Sequence, residues 1–215
     1  MDKELLVFDL DGTLIDSSSD IAWAANRTLD ALGYRELSTG YIKENIGWGV
    51  RQLLERLMPD EPPGRITKAR ESFLESYGTH LVVDTYVYPG VRETLGYFRG
   101  LKKKMAVVTN KPEGLARRIL DEAALSAFFR MIVGGDSTEN RKPHPEPLEK
   151  VVSGLETTAG RTVFIGDSPI DCETGRSAGV ATIGVTYGFR ERSEIEAAGF
   201  DIVIDWFPDL KSVIR

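Results

Sequence analysis

The sequence predicts an α/β protein with a doubly wound, Rossmann-like parallel-sheet core and an α-helical cap domain inserted after the first strand. Short, uninterrupted apolar runs recur along the chain and each stops at polar residues, the pattern of strands buried on both faces. Stretches with helical period stand between the later runs, so strand and helix alternate as they do in a parallel sheet flanked by helices. Only residues 15–88 break the alternation, being patterned as helices with no clear buried strand.

Taken in order, Leu5-Leu6-Val7-Phe8 is the first such run and ends in Asp9-Leu10-Asp11-Gly12. Helices are then predicted over residues 20–32, 39–45, 50–57 and 66–80, with residues 59–64 as a break rich in proline and glycine. Residues 14–18 and 82–89 are the expected hinges, where the chain leaves the core and returns. From there the alternation resumes. Helical stretches fall at 91–101, 113–124, 145–154 and 171–178; strands fall at 105–108, 131–133, 162–165, 181–185 and 201–204. Residues 1–14 and 89–215 therefore form the expected core and 15–88 the insertion. In such a sheet the ligand site lies beyond the carboxyl ends of the strands, where the polar residues ending each run fall.

Composition narrows the function. Among 215 residues, 27 Lys and Arg are outnumbered by 33 Asp and Glu, for a formal charge of -6, and no basic block stands out. Nucleic acid is not the expected partner. An anionic ligand would meet a repelling field unless a metal and local cations reverse its sign at the site, so a cation is expected there. The single cysteine, Cys172, excludes an intrachain disulfide and a cysteine metal cage, and a reducing cytoplasm is the expected location. The apolar run after Met1-Asp2-Lys3-Glu4 is too short for a signal peptide or a membrane span, and no membrane partner is expected. No heptad or extended apolar stripe declares an oligomer interface.

Three strand ends and one helix start carry candidate chemistry. Asp9 and Asp11, two apart at the first, project to the same side; paired carboxylates there suit metal binding with nucleophilic and acid/base work, or else a solvated turn or calcium loop. Thr109 and Asn110 end the run Val107-Val108, where a hydroxyl can donate to a phosphoryl oxygen or simply cap a helix. Lys142 precedes a proline-punctuated helix start, Pro143-His144-Pro145-Glu146-Pro147. Asp167 and Asp171 follow Phe164-Ile165-Gly166, four apart across a turn; they suit a hard cation, and Asp171 alone also suits a helix N-cap. His80 and His144 have no partner motif and are expected to be structural.

Together, in this order and spanning essentially the whole chain, these motifs resemble the haloacid dehalogenase superfamily, in particular its phosphatase members with Asp-x-Asp-Gly-Thr after the first strand. That resemblance implies that Asp9 is the nucleophile, forming an aspartyl-phosphate, and that Asp11 protonates the leaving oxygen and then deprotonates water. It implies a magnesium ion held by Asp9, the Asp11 carbonyl and Asp167, with Asp171 supporting the site. Thr109 would contact the phosphate with help from Asn110, and Lys142 would offset charge on nucleophile and phosphate. The presence of Asp11 favours phosphoryl transfer over carbon-halogen cleavage. Within the cap, Gly47 and Gly49 bracket Trp48 and precede Arg51. Arg51 either forks onto a substrate carboxylate or is an exposed helix-start arginine, and Trp48 either walls the pocket or is core. The helical insertion and the Val-Thr-Asn-Lys-Pro and Lys-Pro-His-Pro-Glu-Pro segments look most like the phosphoglycolate phosphatase branch, making 2-phosphoglycolate the first expected substrate. A sugar phosphomutase of the beta-phosphoglucomutase kind, a pyrophosphatase or a catalytically silent phospholigand-binding protein are the alternatives.

Overall fold

A computed structural model describes residues 1–215. Six strands form one parallel sheet: β1 (Leu5–Phe8), β4 (Lys104–Val108), β5 (Met131–Val133), β6 (Thr162–Gly166), β7 (Ala181–Val185) and β8 (Ile202–Ile204), in the spatial order β5-β4-β1-β6-β7-β8. The chain builds outward from β1 through β4 to β5, then returns to its other side with β6, β7 and β8. This reversal makes the carboxyl ends of β1, β4 and β6 the switch point where a crevice forms. Phe8 stands in register with Val107 of β4 and Ile165 of β6, so the residues after each strand emerge side by side.

Burial on both faces of β1 explains its lack of apolar-polar alternation. Leu6 and Phe8 pack with Leu95, Phe98 and Leu120, from helices α5 (Val91–Gly100) and α6 (Glu113–Glu122). Leu5 and Val7 pack the opposite way with Leu148 and Val151 of α7 (Glu146–Gly154). Helix α8 (Pro169–Ser177) joins β6 to β7, and α9 (Arg192–Ala198) and the short α10 (Leu210–Val213) complete the chain. No helix is long and apolar enough to cross a membrane.

Between β1 and α5 lie four helices: α1 (Ser18–Ala31), α2 (Thr39–Glu44), α3 (Val50–Leu57) and α4 (Pro63–Thr79). Their buried faces, which include Ala25, Leu29, Leu54 and Phe73, share one apolar cluster with the sheet. One correction concerns strands. The expected strandless stretch opens with β2 (Ile15–Asp16) and closes with β3 (Tyr86–Val87), which pair antiparallel. Two-residue strands are too short to show any period, so they leave no trace in the pattern. The expected break over residues 59–64 is also shorter, because α4 starts at Pro63, where proline's missing N–H has no helical partner to lose.

Candidate active site

Asp9 stands one residue past β1, Thr109 one past β4 and Asp167 one past β6, so three neighbouring strands deliver the core of the site. All three are buried. Lys142 arrives from the loop between β5 and α7. Its Nζ lies 2.8 Å from Asp9 Oδ1 and 2.6 Å from Asp171 Oδ1. Asp171 sits in the first turn of α8, and its other oxygen accepts from the backbone N–H (3.2 Å) and Oγ (2.7 Å) of Ser168. Asp171 is therefore not the N-cap: Ser168 is, with Asp171 at the third position of a capping box, bonding Ser168 with one oxygen and Lys142 with the other. Asp167 Oδ2 accepts from the backbone N–H of Phe189 at 2.7 Å.

Carboxylate oxygens of Asp9, Asp167 and Asp171 lie within 4.8 Å of one another, with one ammonium, that of Lys142, among them. Burial lifts Asp9 to about 7; Lys142 opposes the rise, and Asp171 and Asp11 add to it. Burial, then repulsion from Asp171 and Asp9, lifts Asp167 to about 8. Lys142 moves the other way: burial would lower it, but Asp171 and Asp9 hold it above the ordinary lysine range. A buried, all-oxygen cluster with excess negative charge fits a hard divalent cation.

Backbone approach makes this cluster compact. Gly12 has φ +87°, and a Cβ built there would fall 2.1 Å from Asp167 Oδ2. At Gly188 a Cβ would fall 2.3 Å from the Cβ of Asp167. Glycine at both positions lets two loops close on one carboxylate.

Asp11, two residues beyond Asp9, faces a different set of partners. Ser17 Oγ donates to its Oδ1 at 2.5 Å and Lys111 Nζ to the same oxygen at 2.6 Å. Lys111 is buried and also donates to the Tyr77 hydroxyl of α4 at 2.8 Å. Burial would lower Lys111, but Asp11 and Tyr77 raise it to about 12. Asp9, Asp11, Thr109, Asn110, Lys111 and Tyr77 line one cavity, which Gly47, Gly49 and apolar residues of α1, α3 and α4 close.

Three sequence expectations need correction or refinement. Arg51 does not face the cavity: its guanidinium is half exposed and bonds Glu55 at 2.8 Å, one turn along α3. Trp48 does not wall the cavity either. It lies in a separate open groove, with the Arg56 guanidinium 5.1 Å from its ring centroid. Asn110 lines the cavity, but its amide nitrogen donates to the Gly47 carbonyl (2.9 Å) and the Lys142 carbonyl (3.0 Å). Its donors tie β4's end to the helical segment and to the lysine loop. Neither histidine lines this cavity: His80 stacks on Trp23 at 3.9 Å, and exposed His144 accepts from the backbone N–H of Glu146.

Lys111, Tyr77 and Gly188 are the site residues that sequence reasoning missed. For Lys111 a signal existed, because it follows Thr109 by two residues at a strand end, the same spacing that pairs Asp9 with Asp11.

Comparison with known proteins places the chain in a family. A family model described as haloacid dehalogenase-like hydrolase matches residues 6–185. The chain belongs to that family. Among its curated relatives, a phosphoglycolate phosphatase of Pseudomonas putida is 36% identical, over 98% of this chain and 78% of the relative. One of Aquifex aeolicus with the same name is 39% identical over 86% of this chain and 85% of its own. A crystal structure from Haemophilus somnus, described as a predicted phosphoglycolate phosphatase, superposes with a TM-score of 0.93 at 30% identity, covering 98% of this chain and 97% of that one.

Proposed function

We propose that the protein hydrolyses 2-phosphoglycolate to glycolate and orthophosphate, using magnesium and an aspartyl-phosphate on Asp9. The enzyme is a phosphoric monoester hydrolase of the haloacid dehalogenase-like family. The observation that carries the finer reading is the meeting in one buried site of Asp9, held by Lys142 at 2.8 Å, with Asp11, held by Lys111 and Ser17.

In this reading an Asp9 carboxylate oxygen attacks phosphorus and the ester P–O bond breaks. Asp11 gives its proton to the departing alkoxide. Ser17 and Lys111 both donate to Oδ1, which leaves Oδ2 as the oxygen that carries that proton. Asp11, now a carboxylate, takes a proton from water, whose oxygen bonds to phosphorus as the P–O bond to Asp9 breaks. Orthophosphate leaves and both aspartates are restored. Thr109 and Lys142 supply donor and positive charge for the phosphoryl group. Asp9, Asp167 and the Asp11 carbonyl, supported by Asp171, would hold magnesium, which offsets phosphate charge when bound.

Residues 15–88 act as the cap, excluding bulk water during transfer. The relatives' names favour phosphoglycolate among the candidate esters.

The test is phosphate release from phosphoglycolate, sugar phosphates, nucleotides and pyrophosphate, with magnesium or EDTA, by the wild type and Asp9→Asn. Release strongest on phosphoglycolate, abolished by EDTA and in the variant, is expected. Equal release by Asp9→Asn would overturn the aspartyl-phosphate, and a stronger rate on another compound would overturn the substrate.

A further inference from the structure

We infer that Lys111 receives a second anionic group of the substrate, a carboxylate on the carbon next to the phosphate ester, and thereby makes the enzyme select phosphorylated hydroxy acids; this rests on the phosphatase reading above. Among the residues lining the cavity that holds Asp9 and Asp11, Lys111 is the one cation. Other basic groups stand outside that lining, Arg141 among them in the separate open groove. Lys142 divides its bonds between Asp9 and Asp171 and does not line the cavity, and Arg51 bonds Glu55 in solvent.

An ammonium carries three donors. Two are used, on Asp11 Oδ1 at 2.6 Å and the Tyr77 hydroxyl at 2.8 Å, and the third remains for a ligand. Because Lys111 donates to the Tyr77 oxygen, the phenol's own proton is also left to give. Burial raises Tyr77 to about 12, so the phenol keeps that proton at neutral pH. Two donors therefore converge on one wall of the cavity.

The rest of that cavity includes Ile46, Leu53, Phe73 and Leu115. A carboxylate placed among these side chains without a counter-charge would bear a large desolvation cost. Only the position against Lys111 offsets it. The same wall offers nothing to a substrate whose second group is a methyl, and leaves a buried ammonium unpaired on that side. Selectivity then comes from the substrate that fills the vacancy as much as from the one that does not.

The experiment compares kcat/KM for 2-phosphoglycolate with that for ethyl phosphate, which has the same length and no carboxylate. The wild type is expected to prefer phosphoglycolate by about 1,000-fold, and Lys111→Met to reduce that ratio to about 10 or less. Tyr77→Phe, which keeps the ring and the ammonium, serves as a second variant should Lys111→Met not fold, and is expected to cut the ratio by about 10-fold. If the wild type prefers phosphoglycolate but a folded Lys111→Met loses rate equally on both esters, Lys111 only positions Asp11 and the inference is overturned. An unchanged ratio in folded Tyr77→Phe, with Lys111→Met unfolded, overturns it too. A wild type with no preference between the esters would instead defeat the phosphoglycolate reading itself.

Discussion

Lys142 reaches Asp9 across the switch point of the sheet, its Nζ 2.8 Å from an Asp9 carboxylate oxygen while 2.6 Å from Asp171. One buried ammonium thus serves two buried carboxylates, and its loss would leave both uncompensated. Lys142→Met is expected to lower stability by about 3 kcal/mol in urea unfolding without metal. Phosphate release should fall by at least about 100-fold, because in the proposed mechanism the same charge faces the transferring phosphoryl group. A variant with wild-type turnover would show that Lys142 is only a structural counter-ion.

Acidity gives a second expectation, with a definite sign. Asp9 at about 7 and Asp167 at about 8 both lie above their ordinary value of 3.8. Without metal the folded protein therefore holds protons that the unfolded chain releases. Stability from these groups is full at pH below about 4 and is lost as pH rises through about 7 to 8. In the proposed mechanism a divalent cation would replace those protons. The magnesium-induced rise in Tm should accordingly grow between pH of about 5 and about 8.5. Equal increments across that range would mean that these carboxylates do not take up the ion.

Asn110 yields a third. Its two amide donors satisfy the Gly47 and Lys142 carbonyls, linking the helical segment, the end of β4 and the lysine loop. Asn110→Ala is expected to cost about 2 kcal/mol of stability, since the buried Lys142 carbonyl and the half-buried Gly47 carbonyl both lose a partner. It should also raise KM more than it lowers kcat, because the loosened wall belongs to the cavity and not to the reacting carboxylates. A change confined to kcat would instead favour a direct phosphate contact.

How far the sequence led is clear from individual residues. Leu5 to Phe8 is unbroken apolar because α5 and α6 cover one face and α7 the other, and that local signal marked β1 and the place of Asp9. Asp11, Lys142, Asp167 and Asp171 were legible for the same reason, each lying at or just beyond a strong strand or helix boundary. Arg51 misled because its partner, Glu55, is one turn away on the same helix, and a local salt bridge competes with any ligand. Tyr77 was illegible because its partner Lys111 is 34 residues away and its spacing on α4 is that of any core aromatic. Gly188 matters only because a loop folds back on Asp167, a long-range approach that no local period records.

Asp20 shows the same long-range logic at the hinge and supports the last expectation. It is fully buried in the first turn of α1, and its carboxylate accepts from the backbone N–H groups of Val83, Asp84 and Thr85 and from the Thr85 hydroxyl, at 2.7 to 3.1 Å. His80 Nε2 stands 3.5 Å from the same group. One side chain thereby fastens the start of α1 to residues 83–85, beside the β2-β3 ribbon. Asp20→Asn keeps the volume but turns one acceptor into a donor facing donors. The expected loss is about 3 kcal/mol, since three backbone N–H groups lose their acceptor and a buried amide is left facing them. Limited proteolysis should then cut first within residues 80–86, where those N–H groups lie. Cleavage elsewhere with this segment intact would show that the Asp20 clasp is dispensable to the hinge.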